Sequence, residues 1–112
     1  MSKYLYVQLW KVRTEWLALS EQERLDFVYK IGVVIKDLIS TGAELVGFSL
    51  NDLDTPERAD YRYVAVWRAD SEIVELIDVS FEKAGWNDYF THVNARGALV
   101  QPQEFLRHMI RL

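Results

Sequence analysis

The chain has 112 residues, half of them hydrophobic, no cysteine, and a formal net charge of −4 from 13 basic and 17 acidic side chains that form no blocks. That length suits one domain, able to bury about 65% of its unfolded surface without metal or disulfide staples; the missing cysteine excludes thiol catalysis, thiolate metal sites and disulfides together. Unclustered Lys and Arg argue against a nucleic-acid partner, and with no apolar run near the roughly 20 residues that span a bilayer, and no apolar signal core after Met1-Ser2-Lys3, a cytoplasmic protein with no membrane partner is expected.

Tyr4 to Val12 reads as the first strand, and both of its alternating faces are largely apolar. Leu5, Val7 and Leu9 lie on one; Tyr4, Tyr6, Gln8, Trp10 and Val12 lie on the other. Arg13 to Leu19 is a connection with room for one loose helical turn around Trp16 and Leu17. Ser20 and Glu23 then stand at capping-box spacing. The helix they open carries Val28, Ile31, Ile35, Leu38 and Ile39 on one stripe, with Gly32 beside it permitting close approach to a sheet and Gly42 placed as the C-terminal cap.

Leu45 to Leu50 is the second strand. Its phase is open: either Leu45, Gly47 and Ser49 or Val46 and Phe48 face the helices. The polar stretch Asn51 to Asp60 is a long hairpin connection, and its acidic residues lack the turning glycine and closing glutamate of a calcium loop. Tyr61 to Ala69 is again apolar on both sides, Val64 and Val66 against Tyr61, Tyr63, Ala65 and Trp67. Ser71 opens a second helix with Ile73, Leu76, Ile77, Ser80, Phe81 and Ala84 on one face, stopped by Gly85. An aromatic turn, Trp86 to Phe90, leads to Thr91–Ala98, where His92, Asn94 and Arg96 alternate with Thr91, Val93 and Ala95. Pro102 starts a short tail helix whose apolar stripe is Phe105, Leu106, Met109 and Leu112.

The βαββαβ order, with right-handed crossovers, predicts an α+β ferredoxin-like sandwich: a four-stranded antiparallel sheet with two helices on one face. It occupies a single domain, residues 1–112, with a core over 4–98 and a helical tail over 99–112. Two helices cover only one face of such a sheet. The aromatic face, bearing Tyr6, Trp10, Tyr63 and Trp67, is therefore left to another subunit, a bound molecule, or both. Element order and this second face together resemble the dimeric α+β barrel superfamily over Tyr4 to Ala98. The resemblance implies a homodimer in which two sheets face each other around a cavity or a packed interior. It carries over no catalytic residue, because the superfamily includes cofactor-independent monooxygenases, small isomerases, lactone-forming enzymes, haem-dependent enzymes and stress-responsive proteins.

The expected interior set is Tyr6, Gln8, Trp10, Tyr63, Trp67 and Asn94 as ligand-binding residues, with His92 and Arg96 as catalytic candidates. Imidazole exchanges a proton near neutral pH, and a guanidinium pairs a ligand carboxylate or a protein acid such as Glu44, Glu82 or Asp88. A hydrogen-bonded structural histidine and an ordinary ion pair are the plainer roles. No cofactor and no metal are expected, since His92 and His108 are the only histidines. Haem ligation by His92 rests on superfamily analogy alone. The functional expectation is a dimer binding an amphipathic aromatic or fatty-acid-like molecule with a carbonyl or carboxylate end. Any enzyme activity would be of cofactor-independent oxygenase or isomerase type. The alternative is a non-catalytic stress-type or structural dimer with a filled interior.

Overall fold

A computed structural model of the chain describes residues 3–112; Met1 and Ser2, where the expected domain begins, lie outside them. The elements run β1 (Lys3–Val12), α1 (Thr14–Leu17), α2 (Glu21–Thr41), β2 (Glu44–Leu50), β3 (Tyr63–Asp70), α3 (Ser71–Lys83), α4 (Trp86–Tyr89), β4 (Phe90–Ala98) and α5 (Pro102–Ile110). The strands form one antiparallel sheet in the order β2-β3-β1-β4. A shortest dimension of 19 Å is the thickness of one sheet plus one helix layer, and the described residues form no third layer.

The long helix starts where the capping box places it. The Glu23 amide donates to Ser20 Oγ at 3.1 Å and the Ser20 amide donates to Glu23 Oε1 at 2.9 Å. Gly42, at φ 122°, ends the helix in a conformation that L side chains rarely adopt. The Ser20 backbone amide, then its hydroxyl, hold the Glu23 carboxyl below the usual carboxylate range. Because the folded value is depressed, this contribution to stability is complete above the unfolded pKa of about 4.3 and is lost as pH falls through the folded value. Ser20→Ala should cost about 1 kcal/mol in urea denaturation near neutral pH, and that difference should shrink under acid.

The main correction to the sequence expectation concerns the two sheet faces. Tyr6 and Trp67, at 3% and 0% exposure, are packed beneath the chain's own helices, together with Gln8, Ala65 and Ala69. The Tyr6 hydroxyl donates to Asp78 Oδ1 of α3 at 2.9 Å. The Trp67 ring meets Phe81 of α3 edge-on, with centroids 6.5 Å apart. Indole and phenol rings need a thick layer of opposing side chains and a partner for each polar tip. The helices provide both.

The helix stripes turn accordingly. On α2 the buried residues are Ile31 and Leu38, with Val34 and Ile35 packed beside them, while Val28 and Ile39 are about half exposed. On α3 they are Val74, Ile77 and Phe81, and Leu76 faces outward. Gly32 does not serve as a close-approach point: a Cβ there would meet nothing within 4 Å. The open phase of β2 is resolved by a bulge between Leu45 and Gly47, which places Leu45, Phe48 and Leu50 opposite Trp67, Ala65 and Tyr63 on the helix side.

The face left open is therefore Leu5, Val7 and Leu9 of β1, Val64 and Val66 of β3, and Val93 and Ala95 of β4, in register across the sheet. Its polar boundary is formed by ion pairs: Lys3–Asp70 at 3.2 Å and Arg68–Glu44 at 2.8 Å toward one end, Lys11–Asp60 at 3.0 Å toward the other. The tail helix α5 buries none of its own residues.

Candidate functional site: an aromatic cavity beneath α2

Where the helix layer meets the aromatic sheet face, the rings do not fill the space. A cavity of about 300 Å³ lies between α2 and the strands, at the lower end of the range for small-molecule pockets. Its sheet wall includes Gln8, Trp10 and Tyr63; α2 supplies Ile31 and Ile35; Trp86 closes one end. Trp10 anchors this wall, stacked on Tyr63 at 5.7 Å and edge-on to Trp86 at 5.3 Å. Trp86 lies against Phe90 at 4.3 Å, and Phe90 against Trp16 at 5.0 Å, so the two tryptophan-bearing turns are welded together. Among the described residues no charged side chain lines the cavity.

One buried amide breaks the apolar wall. Gln8, 8% exposed, accepts the Trp67 indole N–H on Oε1 at 2.9 Å. Tyr6, two residues before Gln8 on the same face of β1, is held separately by its bond to Asp78 Oδ1. Burial, followed by the hydrogen bond and negative charge of Asp78, pushes the Tyr6 hydroxyl far above its ordinary range, with Arg96 and Gln8 acting weakly the other way. For an acid with a raised folded pKa the stabilisation is complete below the unfolded value of about 10 and is lost as pH rises through the folded one. The tyrosinate absorbance that Tyr6→Phe removes should thus appear well above the pH of about 10 at which ordinary tyrosines ionise, together with alkaline unfolding.

The expected site residues divide into two groups. Gln8, Trp10 and Tyr63 line the cavity; Tyr6 and Trp67 do not, Trp67 supporting Gln8 from behind and Tyr6 bonding to Asp78. His92, Asn94 and Arg96 share the helix-side phase of β4, opposite Trp10, Gln8 and Tyr6, but do not line the cavity. His92 is held between two amides: Nε2–H donates to Asn87 Oδ1 at 2.8 Å, and Nδ1 accepts from Asn94 Nδ2 at 3.0 Å. That matches the hydrogen-bonded structural histidine. Arg96 forms no ion pair among the described residues, and Glu44, one of its expected partners, is engaged by Arg68. Among the described residues no three His, Cys, Asp or Glu side chains are grouped as a metal site requires, and no helix is long and apolar enough to cross a membrane.

The wall residues absent from the expected site include Trp16, Phe27, Ile31, Phe48, Phe81, Trp86 and Phe90. Trp16 was legible only as part of a connection and Trp86 only as part of an aromatic turn. The helix-borne ones carried no signal separating them from ordinary core.

The profile of a family described as a family of unknown function, DUF6616, matches residues 3–112. The chain belongs to that family. No curated protein matches it. Among solved structures, this DUF6616 chain is similar to a mutant chlorite dismutase from Candidatus Nitrospira defluvii, with 13% identity, a TM-score of 0.70, and coverage of 91% of this chain and 42% of the other. The DUF6616 chain thus spans less than half of that enzyme's length. It is also similar to SnoaB, a cofactor-independent oxygenase from Streptomyces nogalater (13% identity, TM-score 0.50, 90% and 96% coverage). A third similar structure is a dimeric ferredoxin-like protein of unknown function from Thermobifida fusca, with 14% identity, a TM-score of 0.50, and 88% and 92% coverage. At these identities the likeness is one of fold. The DUF6616 chain has a ferredoxin-like α+β fold.

Proposed function

We propose that the protein binds an apolar, aromatic-type small molecule in the cavity between α2 and the sheet, as one half of a homodimer closed across the open sheet face. The observation that carries the first part is the ring-lined, uncharged cavity of about 300 Å³ with a single buried amide in its wall. Apolar contact supplies the affinity, at about 25 cal/mol per Å² buried, and planar rings fit a wall of indoles and phenyls.

The second part is supported by the aliphatic face opposite. Leu5, Val7, Leu9, Val64 and Val66 make a surface of the kind that packs sheet against sheet, and its charged boundary has the apolar-centre, polar-rim order of a protein interface. A structurally similar protein is described as dimeric. On this reading the ligand space and the dimer seam lie on opposite sides of the same sheet. A packed seam and a bound ligand are then compatible, where the sequence set them as alternatives.

Three of the chain's four tryptophans, Trp10, Trp16 and Trp86, line the cavity, so occupancy is expected to quench intrinsic emission. A bicyclic aromatic at 100 times its dissociation constant should stabilise the fold by about 2.7 kcal/mol and raise Tm. Ile31→Trp, which places an indole in the cavity, should remove both effects. Quenching and Tm shifts that persist in Ile31→Trp, or a panel of naphthalene-type compounds that produces neither in the wild type, would rule out this pocket as the site.

A further inference from the structure

We infer that the cavity selects ligands carrying an uncharged hydrogen-bond acceptor, and that Gln8 is the residue that reads it; the inference rests on the cavity being a binding site. The polar atoms of the wall are almost all donors. Trp10, Trp16 and Trp86 can present only an indole N–H. Gln8 would ordinarily offer both an acceptor and a donor, but its orientation is fixed. Trp67, fully buried, donates to Oε1 at 2.9 Å, and turning the amide over would set two donors against each other.

The other end of the amide, Nε2, is a donor only, and it is the end of Gln8 left for an occupant of the cavity. The Tyr6 hydroxyl, two residues along the same face, is already engaged, donating to Asp78 Oδ1 at 2.9 Å. Among the described residues Tyr63 is the one lining side chain whose oxygen is free to accept. A ligand whose polar group is a ketone or similar neutral carbonyl satisfies Gln8. One that offers a carboxylate is desolvated with no cation beside it, since the described wall contains no Lys, Arg or His. Between the carbonyl and carboxylate ends that the sequence allowed, the geometry selects the carbonyl. Gln8 is a specificity determinant here, with Trp67 as its positioning residue.

The test uses the whole chain and three probes of one shape: acetylnaphthalene, its isopropenyl hydrocarbon analogue, and naphthoic acid in its ionised form. Binding is read by tryptophan quenching. In the wild type the ketone should bind at least about tenfold more tightly than the acid. The ketone-to-hydrocarbon affinity ratio should fall about fivefold to tenfold in Gln8→Met. Gln8→Leu, which removes the donor without the polarisable sulfur of Met, should lower the ratio as far. If naphthoate binds as tightly as the ketone, or the ratio is the same in the wild type and whichever variant folds, the inference is overturned while the cavity stands as a site. If both variants fail to fold, the wild-type ketone-to-acid comparison decides alone. If none of the three probes binds the wild type, the cavity reading falls and the inference with it.

Discussion

Trp67→Ala should destabilise the fold by about 3–5 kcal/mol, the cost of truncating a large buried aromatic without collapse of the space left behind. Trp67 is the largest of the fully buried side chains, held between β1 and α3. Its loss removes edge contacts to Phe48 and Phe81, at 6.5 Å each, and strips Gln8 of its donor. Trp67→Phe isolates the last effect: much of the ring volume stays, and the orphaned Gln8 oxygen should cost about 1–3 kcal/mol. Urea denaturation of the two variants against wild type measures both. A loss below about 1 kcal/mol for the alanine variant would mean that the aromatic face is not the core face, because truncating a ring in a packed interior costs several times that.

Val66→Glu is expected to turn a dimer into a monomer while leaving the far-ultraviolet circular dichroism unchanged. Val66 sits mid-strand on the open face, in register with Val7 of β1 and beside Gly47 of β2. A two-fold interface uses each residue twice, so one substitution buries two like charges with no cation to pair them. A penalty of about 3–5 kcal/mol corresponds to an affinity loss on the order of a hundredfold to several thousandfold. Sedimentation velocity across micromolar concentrations reads it directly. Wild-type protein sedimenting as a stable single subunit would remove the second copy from the proposed function and leave the cavity untouched.

Much of the architecture was legible because it rests on local chemistry. Ser20 and Glu23 cap α2 as their spacing requires, Gly42 and Gly85 take positive φ where the helices had to stop, and the strands appear in the expected order. The polar alternation of β4 also survives, with His92, Asn94 and Arg96 on one side. The site was read only in part. Gln8, Trp10 and Tyr63 line a cavity, but one beneath the chain's own helices. Trp86, Phe81 and Ile31 reach it from elements distant in sequence, and nothing local distinguishes a side chain that lines a gap from one that fills it.

By itself the sequence determined the element order, the antiparallel ferredoxin-like sheet, and the presence of two apolar faces with only one helix layer to cover them. Period-two alternation sorts residues into two sets, yet it is blind to which set turns toward the helices, because rolling every strand over preserves the pattern. Only the tertiary structure decided that. Asp78 stands on α3 where it accepts the Tyr6 O–H, and Trp67 finds its partner in Gln8 on the neighbouring strand, so the bulky rings with polar tips went under the helices. The row of Leu5, Val7, Leu9, Val64 and Val66, which has no polar tip to satisfy, was left on the face that the helices do not cover.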